Sequence, residues 1–188
     1  MKKPFKTYYF LAYEGHAEFI LFAHLKNRFK KLFEDSNIKF RELTDSEVFS
    51  NGKIKGVKSL KDFEEKYLKI KNNNEYKDLT FLFFLDEDLY HSPEIGKKIS
   101  EGGDLIQFIK YNSEFILLKL SGYEIKDISE FKPDFQGFRD YCKEEFRKKH
   151  GQDLKYIIND DFLDSILGSI PDETIKENFK TIFSLCNK

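Results

Sequence analysis

The chain lacks most of the features that mark a specialised class of protein. No run of apolar residues approaches the roughly 18 needed to span a bilayer, so no partner is sought in a membrane. Neither sign of charge dominates. The 32 basic and 33 acidic residues leave a formal net charge of −1. That balance does not announce a nucleic-acid binder, although local basic faces stay open to one. There are 2 cysteines, Cys142 and Cys186, far apart and without metal-ligand spacing. Free thiols in a reducing, cytoplasmic setting are expected. The opening MKKPFKTYYFLAYEGH begins like a secretory leader, but its apolar part is short, Glu14 interrupts it and no small-residue cleavage site follows. Repeats and low-complexity tracts are absent. Tryptophan is missing while Phe reaches 21. With the abundance of Lys, Asn and Ile, this reads as the bias of an AT-rich genome and carries no functional weight.

What is present suffices for a sizeable core: 188 residues, 40% of them hydrophobic. Residues 7–13 are short, apolar and aromatic, the pattern of a buried strand. From His16 to Phe33 the apolar positions take helical spacing. Residues 38–49 open with strand-like alternation, SNGKIKG reads as a turn, and Ser59 is placed to cap a helix over 60–71. Residues 79–85 carry the strongest strand pattern in the chain. The resulting β-α-β-α-β order predicts an α/β fold with a mainly parallel sheet flanked by helices. After Asp88 a loop containing Pro93, Gly96, Gly102 and Gly103 is expected. GGDLIQFIKYN suits strand or helix, and 113–124 suits a helix capped by Ser113 or another strand, the helix being preferred. Helices are expected over 134–149, 159–168 and 172–186. Residues 1–130 are thus expected to carry the site, and 131–188 to form a helical extension packed on it.

Two apolar strands end in acid: YYFLAYEG at Glu14-Gly15, and LTFLFFLDED at Asp86-Glu87-Asp88. In a parallel sheet the carboxyl ends of strands share one edge, where ligands bind. In an extended segment Asp86 and Asp88 point the same way. Glu14, Asp86 and Asp88 converging there form an all-oxygen donor set suited to Mg²⁺ or Mn²⁺, and without a cation their charges repel. Gly15 allows a tight turn and close approach of a phosphate to the start of the next helix. Glu18, in that first turn, is either a further metal ligand or a partner of the helix dipole.

The pattern E-G-x-x-E after a first strand (Glu14-Gly15-His16-Ala17-Glu18), followed by D-x-D after an apolar third strand (Asp86-Glu87-Asp88), resembles the TOPRIM domain. More narrowly it is similar to the OLD-like and RloB-like TOPRIM proteins of prokaryotic defence systems. The resemblance covers roughly residues 7–125. Within it, YNSEFILLKLSGYE (111–124) faintly resembles the asparagine-plus-phenylalanine segment of RloB-like proteins, with Glu114-Phe115 in reversed order, Ser113 in place of the usual proline and no downstream His. The resemblance implies a Rossmann-like TOPRIM fold and a metal-dependent nuclease that cleaves DNA or RNA in phage defence. Glu14, Glu18, Asp86 and Asp88 would hold Mg²⁺ or Mn²⁺, Glu14, Asp86 and Asp88 would serve catalysis, and Gly15 would lie against the bound group. A basic residue would steady the transition-state charge. Lys97, Lys98 and Lys119 are candidates, and Lys119 is taken. The implied partners are nucleic acid, an ATPase encoded separately and a further copy of the chain. A non-catalytic TOPRIM-fold module that binds nucleic acid or protein, and a Mg²⁺-dependent phosphohydrolase, are the alternative readings.

Other polar residues have simpler readings. His16 suits a surface helix start, His91 a loop, and His24 and His150 exposed helical positions. Lys26, Arg28, Lys30 and Lys31 form a solvated basic face that would also suit a phosphate backbone. In NDDFLD, Asn159, Asp160 or Asp161 caps a helix.

Overall fold

Strand β1 (Thr7–Tyr13) lies at the centre of a six-stranded sheet, with β2 (Ile38–Glu42) on one side and β5 (Phe81–Asp86) on the other, all parallel. Strand β6 (Leu105–Ile109) extends the sheet beyond β5, also parallel. A short antiparallel hairpin, β3 (Phe49–Ser50) and β4 (Lys53–Ile54), joins β1 at its last residue, with Lys53 opposite Tyr13. The structure is a computed structural model and describes residues 7–36, 38–43, 46, 48–50, 52–55, 59–87, 93–131 and 135–186.

Alternation along the strands splits the core into two layers. Leu11, Tyr13, Leu82 and Phe84 face one side of the sheet; Ala12, Phe81, Phe83 and Leu85 face the other. The first side is covered by α1 (His16–Arg28), α2 (Lys30–Asp35) and α5 (Ser113–Leu120), together with the C-terminal helices α6 (Phe135–His150), α7 (Leu154–Ile157), α8 (Asp160–Leu167), α9 (Asp172–Asn178) and α10 (Lys180–Cys186). The second is covered by α3 (Leu60–Asn72) and α4 (Pro93–Glu101). A parallel strand cannot return to its own sheet without a crossover, so helices on both faces are the physical consequence. The α/β class, the parallel sheet and the helical C-terminal region agree with the expectation from sequence. Among the described residues no helix is long and apolar enough to cross a membrane.

Several local expectations change. The helix expected over 16–33 breaks at Phe29, whose φ of −101° and ψ of 28° leave the helical range. Its buried ring packs edge-on against Phe183, with centroids 4.7 Å apart. The helix over 172–186 breaks in the same way at Phe179, which is fully buried and stacks on Phe84. In both cases a tertiary contact outweighs local periodicity. The loop expected after Asp88 is instead helix α4 from Pro93 onward. Proline at its first position and Gly103 at φ 76° just beyond its end follow the usual asymmetry of helix ends. The SNGKIKG turn is the β3–β4 hairpin, with Gly52 at φ 83°.

Capping expectations fare better. Ser59 Oγ accepts from Asp62 N–H at 3.2 Å, and Asn159 Oδ1 accepts from Phe162 N–H at 2.8 Å. For α5 the cap is Asn112, not Ser113: its Oδ1 accepts from Phe115 N–H at 2.8 Å. His24 and His150 are not exposed. His24 is buried with Nδ1 3.3 Å from Asp160, and His150 packs on Phe146 and Phe162. Arg28 is also removed from the basic face. It donates to the carbonyls of Leu167 and Ile170 and to Asp172, tying α1 to the C-terminal helices. Both cysteines are free, and burial pushes the Cys142 thiol up to about 12.

Candidate functional site

The order of the sheet creates one distinctive crevice. From β1 the chain first moves outward to β2, then crosses to the other side for β5 and β6. Adjacent crossovers therefore part at the carboxyl ends of β1 and β5, the switch point where open α/β sheets bind ligands. Glu14 and Gly15 follow β1 directly, and Asp86 ends β5. With Tyr13 opposite Phe84, the two acidic tips stand within a residue of the same level. Asp86 continues the side of β5 that carries Leu82 and Phe84, so it points toward α1 and α5.

Ser113, the first residue of α5, links the tips. Its Oγ donates to Asp86 Oδ1 at 3.0 Å and lies 3.3 Å from Glu18 Oε1. A hydroxyl has one proton and cannot donate to both carboxylates at once. The one hydroxyl is therefore shared between the two carboxylates. Glu18 is 6% exposed, and burial raises its pKa above the ordinary carboxylate value. Hydrogen bonds from its own N–H, from Ser113 and from Gly15 N–H, and the charge of Lys53 on the adjoining hairpin, oppose that rise.

The bond from Gly15 N–H is the N3-to-N-cap half of a capping box, so Glu18 does serve the start of α1. Gly15 is needed for this carboxylate more than for a turn. Its φ of −141° is extended backbone open to any residue. A Cβ at this position, however, would meet Glu18 Oε2 at 2.7 Å.

Further charged groups surround this chain of contacts. Glu87 Oε2 accepts from Tyr111 N–H at 3.1 Å, holding the end of β6 to the end of β5. Tyr111 has φ 60°, a conformation rare outside glycine, in the residue before the α5 cap. Glu114 is half-buried and its pKa is raised, first by burial and then by the negative charge of Glu18; Lys143 and Arg139 of α6 pull it back. Asn112 Nδ2 is buried without a hydrogen-bond partner among the described residues.

Of the residues expected from sequence, Glu14, Gly15, Glu18 and Asp86 lie at this edge. Asp88 and His91 fall outside the described residues. Lys119 stands on the last turn of α5, about 9 Å of helix rise from Ser113. Lys97 pairs with Glu101 and Lys98 with Glu64 on the protein surface. Lys53 is the lysine whose charge reaches Glu18, and neither it nor the bridging role of Ser113 is visible in sequence. The alternation that makes β4 a strand spans too few residues, and Ser113 meets Asp86 only through the sheet.

Among the described residues no three His, Cys, Asp or Glu side chains gather as a metal-holding group. The donor chemistry nevertheless fits Mg²⁺. That ion is commonly held by one or two carboxylates, with waters and substrate phosphates completing its octahedron. Glu18 and Asp86 supply two hard oxygen donors with one hydroxyl between them.

Fold and site together define an α/β protein of the Rossmann-like class with two carboxylates, buried Glu18 and half-buried Asp86, bridged by Ser113 at the switch point of its sheet. No family model, no curated protein and no solved structure matches this chain.

Proposed function

We propose that the chain is a TOPRIM-like, Mg²⁺-dependent nuclease acting on phosphodiester bonds. The observation that carries the reading is the meeting of Glu18 and Asp86 on Ser113 Oγ at the switch point. The E-G-x-x-E and D-x-D motifs, and through them a role in phage defence beside an ATPase, support it by resemblance. Glu18 and Asp86 would hold the ion, with Glu14 and Asp88 as the further carboxylates the motifs supply. A bound Mg²⁺ lowers the pKa of a coordinated water and neutralises charge on the phosphate. The chain's own residues do the rest. Ser113 would orient the two carboxylates. Gly15 leaves room for the Glu18 carboxylate at the N-terminus of α1, and Lys53 offers positive charge to a phosphate at the same edge.

The test is cleavage of single-stranded DNA, duplex DNA and RNA with Mg²⁺ or Mn²⁺, comparing the wild type with Asp86→Ala. Cleavage should be lost in the variant, and activity that survives it overturns the site. Calorimetric titration with Mg²⁺ should give binding that Glu18→Gln and Asp86→Asn abolish. The second reading is a nucleic-acid-binding module that does not cut. Binding without cleavage on every substrate would decide for it.

A further inference from the structure

Beside the acidic cluster, on the outer side of β6 and α5, lies a groove of about 320 Å³. That is the lower end of the size range of small-molecule sites, roughly 300–1,000 Å³, and room for one or two flat rings rather than a double helix. Its charged lining is three lysines, Lys110, Lys119 and Lys126, against one acid, Asp127. All three lysines are exposed. In a chain of net charge −1 this is a local excess of positive charge. Between the lysines the lining is aromatic. The Tyr111 ring packs edge-on against Phe115 and Phe138, with centroids 4.8 and 5.1 Å away, so it is braced as a platform. Lys110 Nζ lies 5.2 Å from its centroid.

The groove also joins the acidic cluster through the backbone. Tyr111 N–H is bonded to Glu87, next to Asp86, and Ser113 is two residues further on.

We propose that this groove binds single-stranded nucleic acid, with an unpaired base against Tyr111 and the backbone phosphates on Lys110, Lys119 and Lys126. Aromatic platforms flanked by lysines bind single strands because every base has a π-face, whereas pairing and stacking hide those faces in a duplex. The proposal rests on the phosphodiester reading of the adjoining cluster and gives it a substrate class. It also gives Lys119 a role in holding the strand.

Fluorescence anisotropy with a labelled oligothymidylate, in EDTA so that no metal-dependent cleavage occurs, tests binding apart from chemistry. The wild type should prefer the single strand to a duplex of equal length. The double variant Lys110→Glu/Lys126→Glu should bind at least about ten-fold more weakly, and its salt dependence should flatten by roughly 0.7 for each phosphate that is no longer neutralised. Lys61→Glu, an exposed lysine on α3 across the sheet, should bind as wild type. Tyr111→Leu, with its fold checked by near-ultraviolet circular dichroism, should lose several-fold for the single strand.

Unchanged binding by the double variant overturns the groove, as does preference for the duplex. Displacement of the oligonucleotide by polyglutamate at lower concentration than by unlabelled oligothymidylate also overturns it, in favour of an acidic protein segment. The two readings fail separately. Single-strand binding through these lysines without cleavage keeps the groove and ends the nuclease. Asp86-dependent cleavage indifferent to the double variant keeps the nuclease and ends the groove.

Discussion

Glu18 is the residue on which the site turns, because it is a carboxylate in a place that resists its charge. Its pKa is raised chiefly by burial. A carboxyl group whose folded pKa lies above its unfolded value binds more protons when folded. Stability then falls as pH rises from the unfolded pKa through the folded one. Glu18→Gln removes that loss. The variant should melt at a higher temperature than wild type at pH 7 to 8, and its melting temperature should fall less between pH 4 and pH 7. A wild type no less stable than the variant at pH 7 in EDTA would contradict the raised pKa of Glu18. Gly15→Ala probes the same atoms. The added Cβ would meet Glu18 Oε2 at 2.7 Å, the far end of a flexible side chain that can swing away. The backbone is extended, so urea unfolding should report a change within about 1 kcal/mol. Mg²⁺ binding, measured by calorimetry, should nevertheless be lost with the displaced carboxylate.

At the scale of elements, buried polar residues decide how the helices dock. Asp104, 1% exposed, accepts from Phe81 N–H at 2.9 Å and Tyr67 Oη–H at 3.0 Å, and pairs with Lys71 at 3.1 Å. One carboxylate thus holds α3, the start of β5 and the start of β6 together. Burial and the neighbouring Asp104 raise the Tyr67 hydroxyl far above the ordinary range, so it stays a donor. Asp104→Ala leaves Lys71 and Tyr67 facing an emptied pocket. It should cost about 3–5 kcal/mol in urea unfolding, the size typical of a buried pair broken on one side. On the other layer, Gln107 Oε1 accepts from the N–H groups of Thr181 and Ile182 and so caps α10 from within the sheet. None of these partners could be paired from sequence. Gln107 and Thr181 are separated by 74 residues, and the buried cluster that includes Phe179 stacked on Phe84 brings them together.

For the whole molecule, the C-terminal helices share one buried cluster with β1, β5 and α1. Ile175, Phe179, Ile182, Phe183 and Leu185 are all buried. At about 1.5–3 kcal/mol for each buried side chain, together they rival the roughly 5–15 kcal/mol net stability of a typical domain. A chain ending at Gly168 should therefore lose its near-ultraviolet dichroism and bind a hydrophobic dye, and a cooperative melt from that fragment would refute the shared core.

The sequence by itself determined β1, the opening of β2, β5, most of the helices and the acidic tips, because burial periodicity and capping act over a few residues, whereas β6 and the β3–β4 hairpin were not legible in it. Thr7–Tyr13, the Ser59 cap and the Asp86 terminus could all be read from their neighbours. Tertiary structure alone decided which tips meet and through what. Parallel pairing of β1 with β5 sets Glu14 and Asp86 at one level, and α5 folds back to place Ser113 between Asp86 and Glu18. The breaks at Phe29 and Phe179 have the same origin: a ring buried against a distant ring outweighs one more turn of helix.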